Sequence, residues 1–305
     1  MYVLEEINRR AANDPAQFLA QCRREYEAEV EQAVKDVIAN VENSVLVLIS
    51  GPSGAAKTTT AAALKRGLEA AGHKAYVLSM DEYFLDVTPW DTPILKNGQY
   101  DFESPLCLDI DLLRQHFAIL SLYREVVIPH FDFNTRRRTV DTGFTVKPSK
   151  GDFVIFEGIH ALNEQVTGGP SDAAKFYVSA DPDVTLNGKT VISGGDLRFI
   201  RRAVRDIQFR GTSLVETLER RPTVQRGETL YIQPNKHTAD RVLQTFQPCE
   251  LGLYRDRFLE LARREGILDR CGALAEALEA ACPIDEALLE KTSVIREFLG
   301  GAETE

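Results

Sequence analysis

Residues 45–65 leave few folds open. The β-branched run Val45-Leu46-Val47-Leu48-Ile49 reads as a strand, and Ala61-Ala62-Ala63-Leu64-Lys65 reads as a helix. Between them stands Ser50-Gly51-Pro52-Ser53-Gly54-Ala55-Ala56-Lys57-Thr58-Thr59-Thr60. A strand, a glycine-bearing turn and a helix in that order gather free N–H groups around one point, where the helix dipole adds partial positive charge. The stretch nearly matches Gly, four residues, Gly-Lys-Ser/Thr, the pattern of a phosphate-binding loop. On that pattern Gly51, Pro52, Ser53, Gly54, Ala55, Ala56, Lys57, Thr58 and Thr59 cradle the phosphates of ATP. Lys57 reaches the β- and γ-phosphates, and the Thr58 hydroxyl meets Mg²⁺. Ala56 departs from the pattern, which has glycine there. If that position needs a positive φ, alanine costs about 1–2 kcal/mol, and its methyl group can crowd the phosphates. An ordinary Ser/Gly-rich turn is the bland alternative, and the matching context on both sides weighs against it.

A second strand, Lys74 to Met80, follows the helix, so the chain alternates strand, helix, strand and predicts a parallel sheet. Ligands of such sheets bind beyond the carboxyl ends of the strands. Asp81 stands at one such end, where a carboxylate can deprotonate a substrate hydroxyl; a turn or helix cap is the plainer role. Phe153-Val154-Ile155-Phe156 reads as a buried parallel strand closed by Glu157, a carboxylate placed to hold Mg²⁺. The segment 86–105 reads as a long ordered loop with Trp90, Tyr100 and Phe102, and 109–122 as a helix. Phe131 and Phe133, followed by Arg136-Arg137-Arg138, fit either a sandwich for a flat base with cations for phosphate oxygens or a hairpin with a solvated basic tip.

From Asp196 a helix is expected, with Leu197, Ile200, Val204 and Ile207 on one face. Arg198, Arg202 and Arg205 lie on another, joined by Arg201 and by Arg210 just beyond. Arginines this dense need an anionic partner or full solvation. In a phosphoryl-transfer enzyme they can close over the triphosphate. At the N-terminus, Asp14 reads as a cap and Pro15 as the first turn of a long helix whose stripe runs from Phe18 to Val41. The segments 251–264, 273–282 and 286–299 also read as helices, Leu230-Tyr231-Ile232 as a short strand, and 226–228 as a turn.

Composition narrows the classes. A net charge of −10 argues against a surface built for nucleic acid. Five scattered cysteines suggest reduced thiols rather than disulfides or a zinc site. No apolar run reaches membrane-spanning length, and Met1 to Glu6 lacks the look of a secretion signal, so a cytoplasmic protein is expected.

Several of these stretches, in this order, resemble the uridine kinase and phosphoribulokinase family of P-loop kinases, closest to the bacterial uridine kinase-like proteins, over roughly 44–253. They are Leu78-Ser79-Met80-Asp81-Glu82-Tyr83-Phe84, Tyr100-Asp101-Phe102-Glu103-Ser104-Pro105, Phe131-Asp132-Phe133, Phe156-Glu157-Gly158-Ile159-His160-Ala161-Leu162, and Asp196 to Asp206 with Arg210-Gly211. The resemblance implies an α/β P-loop NTPase fold of the nucleoside- and nucleotide-kinase kind: a parallel sheet flanked by helices, with helical extensions at both ends. Its parts would be residues 1–43, a kinase core over 44–245 with an arginine lid near 190–222, and a C-terminal helical segment over 246–305.

It also implies Asp81 as base, Lys57 as γ-phosphate clamp, and Arg202, Arg205 and Arg210 as the lid. Thr58, Asp81 and Glu157 would surround Mg²⁺. Glu103 and Tyr100 would lie on the sugar, and Tyr83, Phe131, Phe133 and Arg136 near the base. Phe131 and Arg136 stand where nucleoside-specific members usually carry tyrosine and histidine. The expected activity is ATP-dependent phosphorylation of a nucleoside such as uridine or cytidine, with a homo-oligomer possible. The alternatives are another small alcohol or sugar phosphate as acceptor, or a nucleotide-binding regulator disabled by Ala56.

Overall fold

The computed structural model describes residues 2–133, 135–139, 143–170 and 172–301. Five strands, β1 (Leu46–Ser50), β2 (Ala75–Ser79), β3 (Phe153–Glu157), β4 (Ala174–Ser179) and β5 (Arg241–Gln244), form one parallel sheet in the order β5-β4-β1-β3-β2. Every residue of β1 and β3 is buried, as the unbroken apolar runs require of a sheet covered on both faces. Alternate side chains serve opposite faces. Val47, Ile49, Phe153 and Ile155 join one core, while Leu46, Leu48, Val154 and Phe156 join the other.

The larger core is roofed by α1 (Leu4–Asn13), α2 (Pro15–Ala39), α3 (Lys57–Ala70), then α5 (Gly194–Phe209), α6 (Leu214–Gly227), α7 (Glu250–Arg264) and α8 (Leu268–Glu279); α4 (Ile110–Ser121) covers the opposite face. The Asp14 carboxylate accepts from the Gln17 N–H, with Pro15 in the first turn of α2. The stripe from Phe18 to Val37 is buried, and the Tyr26 hydroxyl lies 3.2 Å from that of Thr60. Ser193 and Asp196 form a reciprocal capping box at the start of α5.

Three local expectations are corrected. Leu230 to Ile232 is no strand: the π-helical turn Glu228–Ile232 prolongs α6. Residues 226–228 therefore remain helical, and Gly227 is needed because a Cβ there would lie 2.2 Å from Glu103 Cβ. Residues 286–299 are not one helix but a turn, Glu286–Leu288, and a short helix α9 (Arg296–Leu299). The Arg296 guanidinium takes the Glu286 and Leu289 carbonyls and pins the chain into a hook. All five cysteines are free. Among the described residues no helix is long and apolar enough to cross a membrane.

Candidate functional site

The strand register brings the chemistry to one edge. Ile49 and Ser79 both pair with Glu157, so the phosphate loop after β1, Asp81 after β2 and Glu157 at the end of β3 leave the sheet together. In the loop the carbonyls face protein donors. Pro52 O accepts from the Ala55 N–H and, at 3.1 Å, from Lys57 Nζ; Ala56 O accepts from Thr60. Gly54 O accepts from Arg201 at 3.0 Å, and Ala55 O from the Thr245 hydroxyl at 2.8 Å. A trans peptide presents its N–H opposite its C=O, so the anchored Ala55 carbonyl turns the Ala56 N–H the other way, while the Ala55 N–H stays on Pro52 O. Gly54 has φ +80°, and a Cβ there would meet the Arg198 carbonyl at 3.0 Å and Arg202 Cγ at 3.3 Å. Ala56 stands at φ 69°, ψ 36°, the left-handed conformation that costs alanine about 1–2 kcal/mol. Its methyl is buried in the larger core.

Thr58 Oγ1 donates to Glu157 Oε1 at 3.2 Å, and the Asp81 N–H donates to the Ser79 hydroxyl at 3.3 Å. Burial pushes Glu157 up to about 7, against the pull of Lys57, and the Asp81 charge adds to the rise. The Asp81 carboxylate is reached by solvent but crowded by protein. Lost hydration raises its pKa, while Lys57, Arg210 and Arg205 draw it down. Burial lowers the Lys57 pKa, with Glu157 and Asp81 opposing. Thr58, Asp81 and Glu157 form a hard oxygen set suited to a small divalent cation. Among the described residues no three His, Cys, Asp or Glu side chains form a metal cage, so such an ion needs further oxygens from ligand and water.

Asp101, Glu103 and His160 form a buried polar group within electrostatic reach of Lys57. Asp101 Oδ2 accepts from Arg226 at 2.7 Å and from the Tyr231 hydroxyl at 3.3 Å, but its Oδ1 has no partner. Glu103 Oε2 is likewise buried without a partner, and the buried His160 ring has no full hydrogen bond, only a looser approach to the Glu103 backbone. Burial holds Glu103 up at about 7, against Arg202 and Lys57. The same cause depresses His160 to about 4, so its ring is neutral near pH 7. Buried polar atoms are seldom left unpaired, so Asp101, Glu103 and His160 are the candidates for meeting a polar ligand.

The other predicted residues divide. Tyr83 is corrected: its ring is fully buried and its hydroxyl lies 2.8 Å from His116 Nδ1, so it faces the core and no ligand. Phe131 is buried against Phe84 and Phe133, with centroids 5.4 and 5.0 Å away, while Phe133 is exposed. Tyr100 packs on Phe102, and Arg136 lies over the same ring at 5.8 Å. Of the arginines, Arg198 is taken by Asp181 and Glu228, and Arg201 by Glu250. Their anionic partners are internal. Arg202 is buried, faces the charge of Glu103, and is drawn down to about 10 by desolvation. Arg205 binds Asp206 at 2.8 Å, and Arg210 is mostly exposed. Sequence reasoning missed His160 as a buried polar group, Arg226 on Asp101 and Glu297 on the loop helix; the last two contacts span 125 and 238 residues.

The fold and this edge define a P-loop kinase. The phosphoribulokinase / uridine kinase family model matches residues 46–251, and the chain belongs to that family. The uridine kinase of Bacillus subtilis (strain 168) is 29% identical over 203 residues, covering 66% of this chain and 86% of that protein. That of Bacillus pumilus (strain SAFR-032) is 30% identical over 202 residues, covering 65% and 85%. A solved structure described as a possible uridine kinase from Bacillus stearothermophilus is 18% identical with a TM-score of 0.45, covering 70% of this chain and 99% of that one.

Proposed function

We propose that the chain transfers the γ-phosphate of ATP, bound with Mg²⁺, to a hydroxyl of a nucleoside such as uridine or cytidine. The observation that carries this is the place of Asp81. It is electrostatically coupled to Lys57 and Glu157 on the phosphate side and to Glu103 on the side of the unpaired polar atoms. A carboxylate so placed can take the acceptor's proton as the hydroxyl attacks. Residues 51–59 hold the triphosphate, while Lys57, Arg202, Arg205 and Arg210 offset charge as the phosphoryl group moves. Thr58, Asp81 and Glu157 would hold Mg²⁺, which when bound neutralises phosphate charge. Asp101, Glu103 and His160 offer donors and acceptors to sugar hydroxyls, and Phe133, backed by the buried Phe131, and Tyr100 offer ring faces to a base. The names of the relatives support a nucleoside acceptor.

A sugar phosphate is the second reading, favoured by Arg136, an exposed cation on the acceptor side. Purified protein is given ATP and Mg²⁺ with a panel of nucleosides, sugar phosphates and small alcohols, and ADP release is followed. Uridine or cytidine should be turned over to the 5′-monophosphate. ADP release with a sugar phosphate and with no nucleoside would overturn the first reading. The protein is read as cytoplasmic and acting on a small molecule.

A further inference from the structure

The chain beyond the matched region returns to the phosphate loop. Val294, Ile295, Phe298 and Leu299 are buried. The Arg201 guanidinium lies 4.9 Å over the Phe298 ring, the Leu299 carbonyl accepts from Arg257 at 3.1 Å, and the Gly300 N–H donates to Arg296 O at 2.8 Å. From this anchored turn Glu297 reaches the first turn of α3. Its Oε2 accepts from the Thr59 amide at 3.3 Å and from the Thr59 hydroxyl at 2.5 Å.

That amide belongs to the first turn of α3, whose N–H groups have no partner within the helix and are the ones an anion takes. Glu297 also acts on the rest of the site: its charge draws on Lys57 and adds to the raised pKa of Glu157. A carboxylate there occupies ground that a phosphate needs and repels it. We propose that Glu297 sets nucleotide affinity as an internal competitor: its carboxylate caps the loop helix in the free protein and swings aside when a nucleotide binds. This rests on the nucleotide reading above. The buried anchors hold the backbone, and Glu297 itself is half-buried, so rotation about its side-chain torsions suffices. An occupied binding state lowers apparent affinity by the fraction of protein it withholds.

The test is ATP binding by titration calorimetry, with melting of free and ATP-loaded protein. Glu297→Ala should tighten ATP binding about two- to fivefold, the scale of one charge at a helix start. Glu297→Gln should tighten it less, because the amide oxygen can still accept from Thr59. The free variants should melt lower than the wild type, and the loaded ones should not. Wild-type or weaker affinity in both variants would overturn the proposal. If neither wild type nor variants bind ATP, the phosphate-loop reading has failed and takes the proposal with it.

Discussion

Arg201 and Glu250 are both fully buried and meet through two hydrogen bonds of 2.7 and 2.6 Å. The same guanidinium donates to the Gly54 carbonyl at 3.0 Å and the Thr245 carbonyl at 2.9 Å, so one side chain joins the phosphate loop to the turn after β5. Removing one partner strands the other charge in a dry interior, at a cost of about 3–5 kcal/mol. Arg201→Met loses that and also orphans two carbonyls, each worth about 1–3 kcal/mol. Glu250→Leu loses the first contribution and orphans one buried amide, the Gln247 N–H that donates to Glu250 at 2.8 Å. The double variant has no stranded charge, so it should be more stable than Arg201→Met despite carrying more changes. In melting temperature the charge-stranding loss in Glu250→Leu is about 5–8 °C for a chain of 305 residues. The assay is urea and thermal unfolding followed by circular dichroism, with ATP binding alongside. Both variants that lack Arg201 should bind ATP more weakly, because the Gly54 carbonyl is unpinned. The reasoning fails if either single change costs under about 1 kcal/mol, or if the double variant is as unstable as the sum of the two.

Three further expectations follow from the site. Asp81→Asn should lower turnover by about 10²–10⁴-fold, the range for a general base, with ATP affinity largely kept; equal turnover would remove Asp81 from that role. Ala56→Gly relieves left-handed strain of about 1–2 kcal/mol, but forfeits a buried methyl worth about 0.8 kcal/mol and adds unfolded-chain entropy of about 0.4–1 kcal/mol. Its melting point should therefore move little, and a large gain in turnover would show instead that the alanine obstructs catalysis. Glu157 and Glu103 are raised to about 7, above their unfolded value, so each favours folding at low pH and loses that contribution as pH climbs from about 4.5 through 7. Ligand-free protein should lose stability over that window, and Mg²⁺ with ATP should bind with release of protons near pH 7, seen as buffer-dependent heat. Glu157→Gln should shrink both effects, and an unchanged proton count would refute the assignment.

Much of this was written locally and so could be read locally. The phosphate loop, the strand ends at Asp81 and Glu157, and the capped helix at Pro15 depend on neighbours within a few residues. The arginine helix was legible as a helix, but not which arginines stay available. Arg198 and Arg201 differ from Arg202 through Asp181, Glu228 and Glu250, carboxylates 17, 30 and 49 residues away from the arginines they hold. Tyr83 looked like a ligand contact because it follows Asp81, yet the turn Met80–Tyr83 directs it toward His116. The hook at 286–299 read as a helix because its apolar spacing is helical, whereas side-chain bonds to its carbonyls dictate another path.

The larger core draws Leu4, Ile7, Phe18, Val30 and Val37 from one end of the chain and Leu274, Leu278, Ile295 and Phe298 from the other. A protein trimmed to residues 46–251 would keep every residue assigned to catalysis and still bare one flank of its sheet to water. Such a fragment should aggregate rather than work.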